Sequence, residues 1–168
     1  MTAHDVIVGL VALQRLGELL YARANSRRLL ARGGVEAGAG HYPLLVLLHG
    51  AWLIALALAV AVPRDAPVYL GFLAVFLALQ GGRLWVMKSL GRYWTTRIIT
   101  VPGAPLVTGG PYRFLRHPNY WVVVGEIAVL PLVFGAWEIA ALFSLANLVL
   151  LRHRIRVEDE ALAQRRGE

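Results

Sequence analysis

The sequence predicts an all-α, polytopic integral membrane protein with about five transmembrane helices, a long cytosolic loop and an amphipathic C-terminal helix. Composition is the first reason, because hydrophobic residues make up 58% of the 168 residues and charged residues 16%, against about 45–50% and about 25% in soluble domains. Secondly, the apolar residues form long stretches, some reaching the ~20 residues that a helix needs to cross a bilayer. Thirdly, most basic residues lie at the ends of these stretches.

Five apolar stretches are the candidate spans, and they lie near residues 3–22, 43–62, 67–87, 119–135 and 137–151. The second and third are long enough to cross the membrane. The first is interrupted by Gln14, Arg15 and Glu18, so it must turn these side chains towards the protein interior. The last two are short and contain Pro131 and Gly135 at their junction. They either cross as two tilted spans or form a helical hairpin.

The distribution of Lys and Arg predicts the orientation. Loops rich in these residues stay in the cytosol, and five spans place three basic groups on one side and only Arg64 in the opposite loops. We therefore expect the N-terminus outside and residues 88–118 and 152–166 on the cytosolic face of a bacterial-type plasma membrane, within a single domain of residues 1–168. The three groups are Arg23, Arg27, Arg28 and Arg32; Lys88, Arg92, Arg97, Arg113 and Arg116; and Arg152, Arg154, Arg156, Arg165 and Arg166.

The connection 88–118 is the long loop of the chain, and long loops in compact domains are often functional. Its Gly and Pro residues exclude a continuous helix, and we predict a short extended segment within residues 95–101. The loop ends at Arg116-His117-Pro118-Asn119-Tyr120, where Pro118 suits the first turn of a helix. The N-terminus of a helix attracts an anionic group, although a membrane-edge cap with snorkelling arginines is an alternative interpretation.

The tail 152–166 is predicted to be an amphipathic helix that completes a binding site. Asn147, Arg154 and Glu158 are spaced by seven and four residues, which places them on one helical face. An exposed Arg154–Glu158 pair is worth only about 0.3–0.5 kcal/mol, so stability alone is a weak reason for it. We predict that this face and the His117 segment close over one charged cofactor. A solvated amphipathic tail is the alternative interpretation.

Ionisable residues inside the spans are predicted to stabilise helix packing rather than to do chemistry. Arg15 or Arg83 is expected to pair with Glu18 or Glu126, and His49 is expected to be a hydrogen-bonded core histidine. The chain has no cysteine, which excludes disulfides, thiol nucleophiles and Cys metal ligands. No spacing of His and carboxylates predicts a metal site.

The polar motifs resemble those of the isoprenylcysteine carboxyl methyltransferase family. They read Leu106-Val107-Thr108-x-Gly110-Pro111-Tyr112, then Arg116-His117-Pro118-Asn119-Tyr120, then Asn147, then Arg154-Ile155-x-x-Glu158-Asp159-x-x-Leu162. The resemblance covers about residues 80–165. A further segment, Leu90-Gly91-x-x-Trp94-Thr95-Thr96-Arg97-Ile98-Ile99, resembles the short bacterial branch that is associated with O-methylation of polyketide alkylpyrones.

This resemblance implies a membrane enzyme that uses S-adenosylmethionine. It implies that Arg154 and Glu158 are catalytic, that Arg154 faces the substrate, and that Trp94 and Asn147 also bind it. Arg97 stands where the eukaryotic enzymes have an uncharged cofactor contact. The implied cofactor-binding residues are Arg97, Ala104, Pro105, Leu106, Val107, Tyr112, His117, Pro118, Asn119, Tyr120, Glu158 and Asp159.

The expected reaction is methyl transfer to a carboxylate or enol oxygen of a lipophilic acceptor, such as an alkylpyrone or an isoprenylcysteine-like compound. Three alternatives stay open: N-methylation of a phospholipid or another amine, a membrane reductase of the sterol reductase type, which shares the Arg-His-Pro-Asn-Tyr element, and a scaffold whose Trp and Tyr only anchor headgroups. The expected partners are the lipophilic substrate and membrane lipids, because the net charge of +7 suits anionic headgroups. Nucleic acid and an obligate protein partner are not expected.

Overall fold

The computed structural model of the protein describes residues 2–61 and 67–166, with side chains as far as residue 163. These ranges are mostly helical, as the composition predicts. The helices are α1 (Ala3–Leu30), α2 (Tyr42–Ala61), α3 (Leu70–Leu90), α4 (Pro118–Val133) and α5 (Trp137–Arg166). Short 3₁₀ turns lie at Ala39–His41, Gly91–Tyr93 and Gly110–Arg113.

Two segments are long and apolar enough to cross a membrane, namely Ala39–Ala61 and Leu70–Tyr93. Helix α4 is apolar but shorter. The fifth predicted span and the predicted tail form one continuous helix of 30 residues, which is about 45 Å long at 1.5 Å per residue. Five crossings therefore stay a prediction, and Arg64, on which the orientation partly depends, lies outside the described residues.

Local sequence explains where the helices begin and end. The Thr2 hydroxyl accepts from the Asp5 backbone N–H at 3.2 Å, and the Asp5 carboxylate accepts from the Thr2 N–H at 2.7 Å, which satisfies two donors at the start of α1. Helix α4 begins at Pro118, as predicted. It ends just after Pro131, and Gly135 adopts the left-handed conformation with φ of 68° that turns the chain into α5.

All five helices contribute to a compact hydrophobic core in the half of the bundle far from the 88–118 loop. Trp52, Leu56 and Phe76 pack there against Ile127 and Leu130 of α4. Helix α4 packs along both α3 and α5. The short helix α4 is thus held centrally, and its N-terminus is presented at the loop end of the bundle.

A network of charged and amide side chains links α1, α3 and α4 inside the bundle. The Arg83 guanidinium donates to both carboxylate oxygens of Glu126 and, at 3.2 Å, to Glu18. Arg15 donates to Glu18 at 2.9 Å and to Glu126 at 3.1 Å, and the Gln80 amide donates to Glu126 at 2.8 Å. Both arginines and both glutamates are therefore partnered, which confirms the predicted pairing.

His49 also matches its prediction as a hydrogen-bonded core histidine. Its Nδ1 lies 2.8 Å from the Leu45 carbonyl oxygen, one turn earlier on α2. This bond joins the ring to the backbone of its own helix.

A two-stranded antiparallel ribbon is the one departure from an all-helical fold within the described residues. Strand β1 (Val35–Ala37) pairs with β2 (Ile98–Thr100), and Glu36 stands opposite Ile99. Strand β2 confirms the extended segment predicted within residues 95–101. Its partner strand was not predicted, because three residues between two helices carry too little pattern to indicate a strand.

The ion-pair network is expected to hold the bundle together. Glu126→Gln keeps the size of the side chain but removes the charge that faces Arg83, and breaking one partner of a buried pair costs about 3–5 kcal/mol. For a chain of this size, such a loss lowers the unfolding temperature by roughly 10 °C. Thermal unfolding in detergent measures it.

The exposed Glu160 on α5 provides the control. Glu160→Gln should leave the unfolding temperature within about 1 °C of wild type, because exposed substitutions cost little. Equal unfolding temperatures for the two variants would contradict a stabilising role for the network.

Candidate functional site

A cavity of about 310 Å³ opens where the 88–118 loop meets the N-terminus of α4 and the last third of α5. This volume lies in the range of ligand pockets, which are about 300–1,000 Å³. The wall combines apolar side chains with a few charged and aromatic ones. Its residues are Leu90, Tyr93, Trp94, Thr95, Arg97, Ile98, Ile99, Thr100, Pro105, Leu106, Val107, Thr108, Tyr112, Arg116, His117, Asn119, Tyr120, Arg154, Glu158 and Leu162.

Arg154 is the best-anchored charged group in this wall, with 9% of its surface exposed. Its Nε donates to the Tyr120 hydroxyl at 2.9 Å, and its Nη2 donates to the Thr96 carbonyl at 2.8 Å. The Tyr120 hydroxyl in turn donates to the Glu158 carboxylate. Helices α4 and α5 and the loop therefore orient the Arg154 guanidinium together.

His117 and Glu158 lie at the same point of the cavity. The His117 Nδ1 is 3.8 Å from a Glu158 carboxylate oxygen, and its Nε2 is 3.1 Å from an Asp159 oxygen. The His117 ring stacks on Tyr120, with ring centres 5.4 Å apart. The sequence predicted that these two polar segments would converge, and the structure brings them into contact.

Tyr112 adds a hydrogen-bond donor to the wall. Burial raises the pKa of its phenol well above the usual value, and the negative charge of Glu158 raises it further. The phenol therefore keeps its proton at neutral pH and can donate to a ligand.

Two polar atoms of the cavity residues are buried and have no hydrogen-bond partner within the described part of the chain. They are the Oδ1 of Asn119 and the indole Nε1 of Trp94. Buried polar atoms are normally satisfied, so this acceptor and this donor are suited to a bound ligand. Among the described residues, no group of three His, Asp or Glu side chains is placed to hold a metal ion.

Most of the predicted site residues line the cavity, and four lie behind it or outside it. Asp159 supports His117, Pro118 is buried at the start of α4, and Ala104 precedes the lining residue Pro105. Asn147 is only 1% exposed and lies two turns of α5 below Arg154, which is about 10 Å at 1.5 Å per residue. It does not line the cavity, and its predicted contact with substrate stays a prediction.

Arg97 lines the cavity, but it also has partners from the other half of the chain. Its Nη1 lies 2.9 Å and 2.8 Å from the two Glu36 carboxylate oxygens, and its guanidinium carbon is 4.5 Å from the centre of the Tyr42 ring. The sequence predicted cofactor binding by this residue. In the structure its charge is already paired, so it forms an oriented rim to the cavity.

Several lining residues were not predicted. Arg116 and Leu162 stand within the quoted motifs, so the sequence could have indicated both. Tyr93 and Thr100 come from the loop and face the cavity only because of how the loop folds. The Thr96 carbonyl, a hydrogen-bond acceptor for Arg154, is a backbone group and has no sequence signal.

Comparisons with known proteins agree with this arrangement. The profile of the Isoprenylcysteine carboxyl methyltransferase (ICMT) family matches residues 71–164, which include the loop, α4 and nearly all of α3 and α5. The chain is 40% identical over 161 residues to the uncharacterized protein YpbQ of Bacillus subtilis (strain 168), covering 95% of this chain and 96% of that protein. It is 24% identical over 147 residues to an uncharacterized protein of Haemophilus influenzae, with 83% of each chain covered. No solved structure matches significantly.

The family match spans more than half of the chain and contains the residues that converge at the cavity. Apolar helices suited to a membrane and a polar site at one end of the bundle fit a membrane methyltransferase. The chain belongs to the isoprenylcysteine carboxyl methyltransferase family.

Proposed function

We propose that the protein transfers a methyl group from S-adenosylmethionine to a carboxylate or enol oxygen of a lipophilic acceptor. The observation that carries this proposal is the anchored Arg154 guanidinium beside Glu158 and His117 in a cavity of a methyltransferase family member. A fixed cation suits an acceptor that is already anionic. Alkylpyrones, fatty carboxylates and prenyl-cysteine carboxylates all have this chemistry.

The residues of the cavity fit the cofactor. Its ammonium and ribose hydroxyls need acceptors, which the Glu158 carboxylate and the unpaired Asn119 Oδ1 provide. Its carboxylate suits the N-terminus of α4, where His117 forms no side-chain cap and the helix dipole favours negative charge. The unpaired Trp94 N–H is a further donor.

The chemistry explains why no strong acid or base is needed. The bound cofactor supplies an electrophilic methyl group, and an anionic oxygen can attack it without first losing a proton. Charge disappears as the two meet, so alignment and exclusion of water help most. Arg154 holds the acceptor oxygen, and the apolar side chains of Leu106, Val107 and Leu162 exclude water from the site.

Arg154 also separates this function from the runner-up, N-methylation of a phospholipid or amine. An amine acceptor arrives as an ammonium, which the buried guanidinium repels, and it must lose a proton before it can attack. The lining charge therefore favours an oxygen acceptor.

A lipophilic acceptor fits the position of the site, because the cavity lies at the loop end of α3 and α4, where apolar helix surfaces end. The acceptor tail would lie along the helices or in the lipid, while its polar end reaches Arg154. The basic residues of the loop and of α5 support a cytosolic location for this end of the bundle.

Cofactor binding is the first expectation. S-adenosylmethionine or S-adenosylhomocysteine should raise the unfolding temperature of the purified protein in detergent, because binding to the folded state stabilises it. Glu158→Gln should weaken binding about 10–100-fold, as expected for the loss of a hydrogen bond to a charged group. Calorimetric titration gives the Kd.

Glu160→Gln, an exposed carboxylate on the same helix, is the matched control and should bind as wild type does. Stabilisation by NADPH, with no response to either cofactor form, would point instead to the reductase alternative.

Acceptor turnover is the second expectation. Arg154→Gln should lower kcat/KM for the acceptor about 10–100-fold, because the anionic oxygen loses its charged donor. Transfer of labelled methyl groups to a panel of probes measures it: a long-chain 4-hydroxy-2-pyrone, a fatty acid, an S-prenylated cysteine and phosphatidylethanolamine.

Arg152→Gln, an exposed arginine two residues away, should keep wild-type turnover. Methylation of phosphatidylethanolamine alone, unaffected by Arg154→Gln, would establish the amine reaction in place of the one proposed.

Orientation is the third expectation. Glu138 at the start of α5 and Arg156, ten residues before its end, are both exposed, and they lie about 27 Å apart along the helix axis. Because the chain has no cysteine, single cysteines at these positions can be labelled cleanly in intact cells with an impermeant maleimide. Five spans predict labelling at position 138 only, whereas labelling of neither position would favour a hairpin that returns to the cytosolic face.

A further inference from the structure

The segment Val35–Tyr42, here called the N-terminal clasp, contacts the site although it lies outside the family match at residues 71–164. It comprises β1, a tight turn, the 3₁₀ turn Ala39–His41 and the first residue of α2. Its side chains reach the loop that forms one wall of the cavity. The clasp can therefore influence the cavity through the loop that it contacts.

The clasp packs against the helix that carries Arg154. Gly38 has φ of 63°, and a Cβ there would lie 2.3 Å from the His41 ring and 2.7 Å from the Val157 side chain of α5. The His41 ring also meets His153 of α5 edge to face, with ring centres 5.2 Å apart. Only a glycine fits so close an approach, so the turn is seated on α5 and fixes where Tyr42 begins α2.

From this position the clasp holds Arg97 on two sides. Glu36 accepts from the Arg97 Nη1 with both carboxylate oxygens, at 2.9 Å and 2.8 Å, and the Tyr42 ring lies under the guanidinium at 4.5 Å. The Arg97 side chain is 41% exposed, and exposed pairs add little stability. These contacts therefore orient the Arg97 guanidinium at the cavity rim and contribute little to the stability of the fold.

The clasp also reaches Arg154 through one residue. The Tyr42 hydroxyl is 3.1 Å from the Thr96 hydroxyl, and the Thr96 carbonyl accepts from the Arg154 Nη2 at 2.8 Å. Arg154 continues to Tyr120 and Glu158. Four hydrogen bonds, of which the first two meet different groups of Thr96, thus connect the start of α2 to the carboxylate assigned to the cofactor.

We propose that Glu36 and Tyr42 are positioning residues for methyl transfer, which set the Arg97 and Arg154 guanidinium groups through residues 96–97. The inference rests on the proposed function, because it concerns how accurately the acceptor oxygen is aimed. In-line transfer depends on such alignment, and a displacement of about 1 Å can cost about 100-fold in rate. Neither residue touches the cavity, so neither is catalytic.

Tyr42→Phe is the sharpest test, because it removes the hydroxyl that meets Thr96 and keeps the ring under Arg97. We expect kcat for the best acceptor of the probe panel to fall about fivefold, as for one lost hydrogen bond, while the Kd for S-adenosylhomocysteine stays within twofold. Glu36→Gln should act in the same direction, and Glu36→Asp should recover most of the rate. Tyr69→Phe, at the far end of the bundle, and Glu160→Gln are the matched controls.

A double-mutant cycle tests whether Tyr42 acts through its hydrogen bond to Thr96. Thr96→Val removes the other half of the Tyr42–Thr96 hydrogen bond, so the double variant should be no slower than either single variant. Additive losses would show that the two residues act separately and would overturn the proposed connection. If the variants instead lost kcat, cofactor affinity and unfolding temperature together, the clasp would serve only the stability of the fold, and the proposal would be wrong.

Hydrogen exchange measured by mass spectrometry needs no acceptor. Tyr42→Phe should speed exchange in residues 95–101 and leave α3 unchanged, whereas unchanged exchange at 95–101 would overturn the inference. If the wild-type protein methylated none of the probes, the proposed acceptor chemistry would fail, and this measurement would still decide whether the clasp controls the loop.

Discussion

The hydrogen bonds of the Arg154 guanidinium join three parts of the chain that are far apart in sequence. Its Nε reaches Tyr120 at the start of α4, its Nη2 reaches the Thr96 carbonyl in the loop, and its own backbone belongs to α5. A buried cation without such partners would destabilise the fold by several kcal/mol. Satisfying this one group therefore ties the loop and the two helices together around the cavity.

A second polar layer explains why that closure is rigid. Arg83 and Glu126 form the centre of a charged network deeper in the bundle, and they belong to α3 and α4, the helices that border the loop. Glu126 lies six residues beyond Tyr120 on the same helix, which is about 9 Å. Because the network fixes α3 and α4 against each other, it also fixes the two ends of the loop that α3 and α4 flank.

The inner layer around Arg83 and Glu126 stabilises the bundle, whereas the outer layer around Arg154 lines the cavity. In the inner layer two arginines and two glutamates neutralise one another, and the cost of burying them is offset by mutual hydrogen bonds. In the outer layer, Asn119 and Trp94 keep buried polar atoms without partners among the described residues. Every charged group of the inner layer has an ion-pair partner, whereas a bound ligand can satisfy the two unpaired polar atoms of the cavity residues.

Much of the fold and of the site could be predicted from the sequence, because the relevant signals are local. Apolar stretches placed the helices, Pro118 placed the start of α4, and the spacing of Arg154 and Glu158 placed both on one face of α5. Motif order then indicated the family, and the ionisable residues of the predicted spans were expected to pair with one another. These conclusions depend on contacts within a turn or on a general cost of burial, neither of which requires the tertiary arrangement.

What the tertiary structure alone decided is which distant groups meet. Glu36 with Arg97, and Tyr42 with Thr96, are separated by 61 and 54 residues, and three-residue strands leave no periodic pattern to predict their pairing. The same holds for the Thr96 carbonyl, since every residue carries such a group. Sequence determined the helices and the chemical groups they carry, whereas packing determined their partners, because long-range contacts depend on how all the helices fit together.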